Sequence, residues 1–387
     1  MNDFFAINKF QSQIEAPLGW IFFQIGLFFL PSSIFLSASC LFTAGILGTL
    51  KRSDSYWKDI WNYPLIFIGG WMVIGCFKAY SGWLAWVGLA NWLPFFWCFW
   101  TFQVYLSSSQ LRKRAAFCLI CGTVPVLLTG LGQLFLGWEG PWELFNGLII
   151  WFISPGGEPV GRLSGLFDYA NIAGTWLALV WPFSLAILIQ PSLNLRDRSV
   201  GFLFATAIVV ALILTDSRNA WGSLILAVPF VLGPTSWVWL LPLLFLSLLP
   251  IVFAVLPGMN LDLQQSARAI VPERLWARLN DMKFLGIRTS ESTRIYQWKE
   301  AINLFAERPI LGWGAAAFSV LYPLRQGVSL GHAHNLPLEL AVANGFPVPI
   351  LLLSMVLSLL IISFYRLVFW RLNGTIYGNS LFDRAWW

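Results

Sequence analysis

Charge is scarce in this chain: Asp, Glu, Lys and Arg make up only 11% of its 387 residues, against 58% hydrophobic residues. Mean hydropathy reaches +0.70, a balance that excludes an ordinary water-soluble domain. Histidine is scarcer still, with two in the whole chain, whereas a zinc site wants three or four ligands. The five cysteines (Cys40, Cys76, Cys98, Cys118 and Cys121) all fall inside apolar runs. A thiol there behaves as a small hydrophobe, so neither a disulfide framework nor a metal site is expected. The N-terminus lacks a charged start followed by a short apolar core and a small-residue cleavage site, so no removable signal peptide is expected. Internal repeats and low-complexity tracts are also missing.

Long apolar runs and aromatic rings are plentiful. Crossing the hydrocarbon core takes about 20 mainly apolar residues per helix, because no water is there to satisfy backbone N–H and C=O groups. Residues 115–137, 172–190 and 237–256 meet that length. Many of the 23 Trp sit at the ends of such runs, where an amphipathic ring straddles headgroup and hydrocarbon.

Lys and Arg in short loops mark the cytoplasmic side. Basic clusters stand at Lys51-Arg52 with Lys58, at Arg112-Lys113-Arg114, at Arg196 with Arg198, and at Arg366 with Arg371. Residues 18–50 are too long for one helix, and Pro31-Ser32-Ser33 supplies a turn that returns the chain from the side of Lys9 to Lys51 on the same side. Residues 60–106 divide in the same way near Tyr80-Ser81-Gly82. Single spans then follow at 115–137, 172–190, 200–215, 219–233, 236–257 and 346–365. The pattern predicts an all-α polytopic transmembrane helical bundle of about ten spans, with both termini cytoplasmic.

Two segments then lie outside, residues 138–171 and a long loop over 258–344. The parts are N-terminal transmembrane helices at 1–257 (about nine spans), a large extracytoplasmic loop at 258–344, and a last span with a cytoplasmic tail at 345–387. The loop should be partly helical. Ile295, Trp298, Ile302 and Phe305 share one helical face, which predicts a helix lying on the membrane surface. Ser292 or Thr293 is its candidate cap, and Pro309 with Gly312-Trp313-Gly314 ends it in a turn.

Arg162 and Arg218 are the two Arg in short outside connections, where the charge rule disfavours them. Arg218 lies in the polar island Thr215-Asp216-Ser217-Arg218-Asn219, and Arg162 in Gly161-Arg162-Leu163-Ser164-Gly165, shortly before Asn171. Either Arg218 pairs with Asp216 or snorkels to headgroups, or the arginines form an anion clamp. Both histidines occur in Gly331-His332-Ala333-His334-Asn335, which opens a helical stretch containing Glu339 and closing at Asn344-Gly345. An imidazole beside cations is a candidate general base, a solvated loop histidine being the plainer alternative. The long loop carries nine Lys or Arg, among them Lys283, Arg288 and Arg294, against seven Asp or Glu. Basic groups there suit an anionic substrate such as a lipid pyrophosphate, and nucleic acid is not an expected partner.

Together these residues resemble the O-antigen ligase and polymerase family of bacterial envelope glycosyltransferases. The resemblance is carried by Gly161-Arg162 through Gly165 to Asn171, by Thr215-Asp216-Ser217-Arg218, by Arg294 with Trp298 and Pro309 to Gly314, and by His334-Asn335 with Gly345 beyond. It covers residues 155–365. It implies metal-independent and cofactor-free transfer of a glycan from a polyprenyl-pyrophosphate carrier to a lipid or glycan acceptor hydroxyl, at the outer face of the bacterial inner membrane. Carried over residue by residue, Arg218 and His334 would be catalytic, and Arg162, Arg294, Asn171, Asn335 and His332 would bind substrate. Two features depart from the family pattern: Val348 stands where a small or polar residue is usual, and a further pair of helices after the last span is missing. An inactive accessory homologue is therefore one alternative. A cyanobacterial branch of the family, described as bicarbonate transporters, is similarly Trp-rich, and inorganic carbon transport is the other.

Overall fold

The computed structural model describes residues 16–52, 55–190, 195–256, 258, 260–279, 293–368 and 381–386. Lys9, Lys283, Arg288, Ser292 and Arg371, invoked above, lie outside the described residues.

Helices carry nearly all of the described regular structure. They run α1 (Pro17–Phe29), α2 (Ile34–Lys51), α3 (Asn62–Cys76), α4 (Trp83–Leu89), α5 (Leu93–Thr101), α6 (Ser109–Gly122) and α7 (Val124–Phe135). A two-stranded antiparallel hairpin follows, β1 (Trp142–Leu144) and β2 (Ile149–Trp151), with Glu143 opposite Ile150. Then come α8 (Ala170–Ile189), α9 (Leu195–Leu214), α10 (Arg218–Leu232), α11 (Trp237–Val255), α12 (Leu261–Ile270), α13 (Glu273–Leu279), α14 (Arg294–Glu307), α15 (Ala317–Gln326), α16 (Leu336–Asn344), α17 (Pro347–Val368) and α18 (Leu381–Trp386).

Five segments are long and apolar enough to cross a membrane: Ile34–Lys51, Ser109–Phe135, Ala170–Ile189, Pro234–Val255 and Pro347–Arg366. Four shorter apolar helices accompany them, Pro17–Phe29, Asn62–Cys76, Arg198–Leu214 and Arg218–Leu232. The protein is thus an all-α polytopic membrane protein. The α1–α2 break falls where Pro31 forbids continuation, and the Ser32 and Ser33 amides turn back onto the Phe29 carbonyl at 3.0 and 2.8 Å. The second half of residues 60–106 is not one continuous helix but α4 and α5, of seven and nine residues. Pro94 is the reason: without an N–H it opens a new helix rather than extending the old one.

The chain forms two compact units, one of residues 1–51, 102–280 and 364–387, the other of residues 52–101 and 281–363. In the first, small residues let helices approach closely, as expected where lipid competes for every apolar contact. Ser37 donates to the Gly26 carbonyl at 2.9 Å, and the buried Tyr105 hydroxyl donates to the Ala44 carbonyl at 2.7 Å.

The C-terminal helix α18 docks on this unit rather than trailing free. Phe382 is 2% exposed and tilts against Phe117, Trp386 packs on Phe183 and donates to the Arg112 carbonyl at 2.9 Å, and Asp383 accepts from Arg112 at 2.6 Å. Phe382→Ala is expected to weaken this docking by about 3 kcal/mol, since a buried ring and its packing are lost together. Limited proteolysis should then cut the C-terminal segment faster than in the parent.

The second unit has two apolar clusters. Ile68, Met72, Phe96, Leu340 and Val348 build one, so Val348 packs with no exposed surface. Leu304, Phe318, Leu321, Tyr322 and Val342 build the other, under α14, α15 and α16. The turn after α14 is stitched to α16 by the amides of Trp313 and Gly314, which donate to the carbonyls of Val342 and Ala343 at 2.8 Å each. Gly345 is required there. Its φ is +73°, and a Cβ would lie 1.9 Å from the Ile310 carbonyl oxygen.

Helix α14 occurs as expected, with Thr293 as N-cap. The face it buries in the protein is Gln297, Glu300, Ala301 and Leu304, while Ile295, Trp298 and Ile302 are 79, 37 and 52% exposed. Polar partners hold that buried face inward. Glu300 meets Arg325 at 3.2 Å and accepts from Gln326 at 3.2 Å, and Tyr296 donates to Gln326 at 3.0 Å. The outward apolar stripe is what a helix against lipid would present.

Candidate functional site

The expected residues fall into two groups, one in each unit. In the first unit, Arg162 is 8% exposed and lies among oxygen acceptors. Its Nε donates to the Thr215 carbonyl at 2.8 Å, and its Nη2 donates to Asn171 Oδ1 at 2.6 Å and to the Asp216 carbonyl at 3.3 Å. The guanidinium also lies 5.6 Å from the Tyr169 ring centroid. A planar fork reaches three acceptors that a point charge would not. Arg162 therefore joins the loop ahead of α8 to the turn between α9 and α10, and Asn171 serves the same junction by accepting from it.

The loop that delivers Arg162 is itself anchored. Gln133, on α7, accepts from the amides of Ser164 and Gly165 at 3.2 and 2.9 Å and donates to the Ser154 carbonyl at 2.6 Å. The Leu163 amide donates to the Leu214 carbonyl at 2.9 Å. Sequence reasoning missed Gln133. Its one signal was an amide side chain inside the apolar run 115–137, in Thr129-Gly130-Leu131-Gly132-Gln133-Leu134.

This scaffold presents Arg218. The turn ahead of it is tight, with Asp216 at φ +53° and Thr215 Oγ1 donating to the Leu212 carbonyl at 2.7 Å. Arg218 is then the first residue of α10, half-buried, behind an N-cap Ser217 whose side chain makes no capping bond. A helix start carries unsatisfied N–H groups and the positive end of the backbone dipole. A cation there opposes the dipole, and an anion would offset both.

Arg294 repeats the arrangement in the second unit. It is the exposed first residue of α14, behind an N-cap Thr293 that likewise makes no side-chain capping bond.

The histidine loop stands at the start of α16. His332 and His334 are exposed on either side of fully buried Ala333, their ring centroids 4.2 Å apart at 65°. His334 has φ +53°, an uncommon backbone conformation for a non-glycine residue. Asn335 caps α16, its Oδ1 accepting from the Leu338 amide at 3.2 Å. That bond accounts for an asparagine at this position without any ligand.

Glu339 carries the other bond. Its Oε2 accepts from the Ala333 amide at 2.8 Å. Burial pushes its carboxyl above the usual range, while the Ala333 N–H and the nearby His332 act in the opposite direction. The sequence pointed to the helix containing Glu339 but to no role for it.

Compared with known families, residues 202–353 match the family model described as O-Antigen ligase. That range contains Arg218, Arg294, His332, His334 and Asn335, and ends before the start of the chain's last described helix α18. Arg162 and Asn171 precede it. No curated protein matches the chain.

Proposed function

With an O-antigen ligase domain across residues 202–353 as premise, we propose that the protein transfers a glycan from a polyprenyl-pyrophosphate carrier to the hydroxyl of a lipid or glycan acceptor. Loop charge supports ten spans, cytoplasmic termini and a periplasmic loop, which would set this chemistry at the outer face of the bacterial inner membrane.

The acceptor oxygen bonds the anomeric carbon as the carbon–oxygen bond to the pyrophosphate breaks and the electron pair leaves on phosphate. His334 takes the hydroxyl proton. Arg218 and Arg294 receive the phosphate oxygens, where charge grows in the transition state. Arg162 and Asn171 hold the Arg218 turn, and Asn335 holds the histidine loop through its cap. His332 stands beside the base. No metal or organic cofactor has a step in this scheme.

The observation that carries the reading is the position of the two arginines. Each is the first residue of a helix whose N-cap side chain makes no capping bond, so a guanidinium stands at the positive end of a helix dipole, a combination suited to phosphate.

The test is reconstitution into vesicles with a polyprenyl-pyrophosphate glycan and a panel of hydroxyl acceptors. Glycan should move to the acceptor with release of polyprenyl pyrophosphate. Uptake of labelled bicarbonate without transfer would replace this reading by transport, and neither activity would leave an accessory role.

A further inference from the structure

The scheme above gives no part to Glu339, the one acidic residue of α16. We propose that Glu339 is a positioning residue for the histidine pair, its carboxylate fixing the backbone between His332 and His334 and supplying the negative charge against which the pair holds the proton taken from the acceptor hydroxyl. The inference rests on the glycosyl-transfer reading of the site.

Three observations support it. The Glu339 Oε2 to Ala333 N distance of 2.8 Å ties the carboxylate to the residue between the two imidazoles. The rings themselves are 4.2 Å apart, so charging both is opposed and the pair is suited to holding one added proton. Lastly, Glu339 lines a cavity of about 170 Å³ whose walls include Met72, Cys76, Leu89, Trp92 and Leu340. The carboxylate is thus partly withdrawn from water on its cavity side, while both imidazoles are exposed.

Among the described residues, other charges do not compete for this role. Helices α3 and α4 carry no Asp, Glu, Lys or Arg. On α14 and α15, Glu300 and Glu307 are joined to Arg325 at 3.2 and 2.7 Å, and Arg308, just past α14, lies 3.9 Å over the Trp313 ring. Arg294 and Lys299 are exposed on α14. His332 is the charge that acts on Glu339.

The proton balance is simple. The acceptor O–H bond breaks as its oxygen bonds the anomeric carbon, the proton passes to His334, and Glu339 stays ionised to stabilise the charged pair, as an orienting carboxylate does for a catalytic histidine elsewhere.

Glu339→Gln keeps an oxygen to accept from Ala333 but removes the charge, and Glu339→Asp keeps the charge on a shorter arm. With two histidines in the chain, isotope labelling of histidine yields two sets of imidazole signals in membrane nanodiscs. In Glu339→Gln, kcat should fall about 100-fold with KM little changed, and the imidazole signals should titrate at lower pH than in the parent. Glu339→Asp should recover part of both. Parent-like kcat and an unmoved histidine titration in Glu339→Gln would overturn the proposal and leave Glu339 as a loop anchor. A parent that transfers no glycan overturns the transfer reading instead. The histidine titration then decides the pairing alone: a shift supports it, and no shift overturns it.

Discussion

Glycan transfer is expected to fall by about 10²–10⁴-fold in His334→Ala and by about 10²–10³-fold in Arg218→Ala. The two losses arise differently. Without His334 the acceptor hydroxyl has no group to take its proton, and the oxygen must attack while still protonated. Without Arg218 the departing pyrophosphate keeps the α10 N-terminus but loses the forked donor at that helix's first residue. Arg218→Lys should recover only part of the rate, because an ammonium keeps the charge and loses the paired N–H geometry. Initial rates against donor and acceptor concentration provide the check. Parent-like transfer by both His334→Ala and Arg218→Ala would remove these residues from the mechanism.

Arg162→Ala should act on stability first. Truncation leaves the carbonyls of Thr215 and Asp216 and the Oδ1 of Asn171 without their shared donor, in surroundings where Thr215 and Asp216 are 0 and 2% exposed. Each buried acceptor left unpaired costs about 1–3 kcal/mol, and partial relaxation brings the whole to roughly 3–5 kcal/mol. The junction between the Arg162 loop and the α10 start should loosen, so transfer falls as a consequence of lost order. Arg162→Lys should restore little, because one ammonium cannot face three acceptors spread around a planar fork. Thermal unfolding in detergent, run beside Arg218→Ala, separates the cases. An unchanged melting temperature in Arg162→Ala, with KM for the donor strongly raised, would mean that Arg162 grips substrate and not the fold.

Much of the architecture was legible in the chain itself. Apolar length located the helices α8, α9, α10, α11 and α17 to within a few residues, because a bilayer allows only internally hydrogen-bonded segments of fixed minimum length. Pro31 and Pro309 marked real interruptions for the same backbone reason. Other features were illegible. The hairpin at Trp142–Trp151 has strands of three residues, too short for alternation to register. The break into α4 and α5 falls at Asn91 and Pro94 inside a mostly apolar stretch, where averaged hydropathy smooths over a single polar residue and a proline.

For the functional residues the division is sharper. Unusual placement was enough to single out Arg162, Arg218, Arg294, His332 and His334, because a cation in a short connection between apolar runs, an arginine opening an amphipathic helix, or a pair of histidines in a chain with no others is conspicuous without coordinates. Their tasks were another matter. Sequence spacing could not show that Arg162 faces the Thr215 and Asp216 carbonyls, 53 and 54 positions along the chain, or that Gln133 holds the Arg162 loop from a helix 31 positions upstream of Ser164.

What the chain determined alone is its solvent and its periodicity: apolar runs require lipid, and α14 has an apolar face. Which way that face points was decided by tertiary structure, through Arg325, Gln326 and Tyr296, which draw Glu300 and its polar neighbours inward and leave Ile295, Trp298 and Ile302 outside. The physical reason is that periodicity is a property of one helix, whereas hydrogen-bond partners belong to its neighbours, and in a membrane protein an apolar stripe is as stable against lipid as against a core.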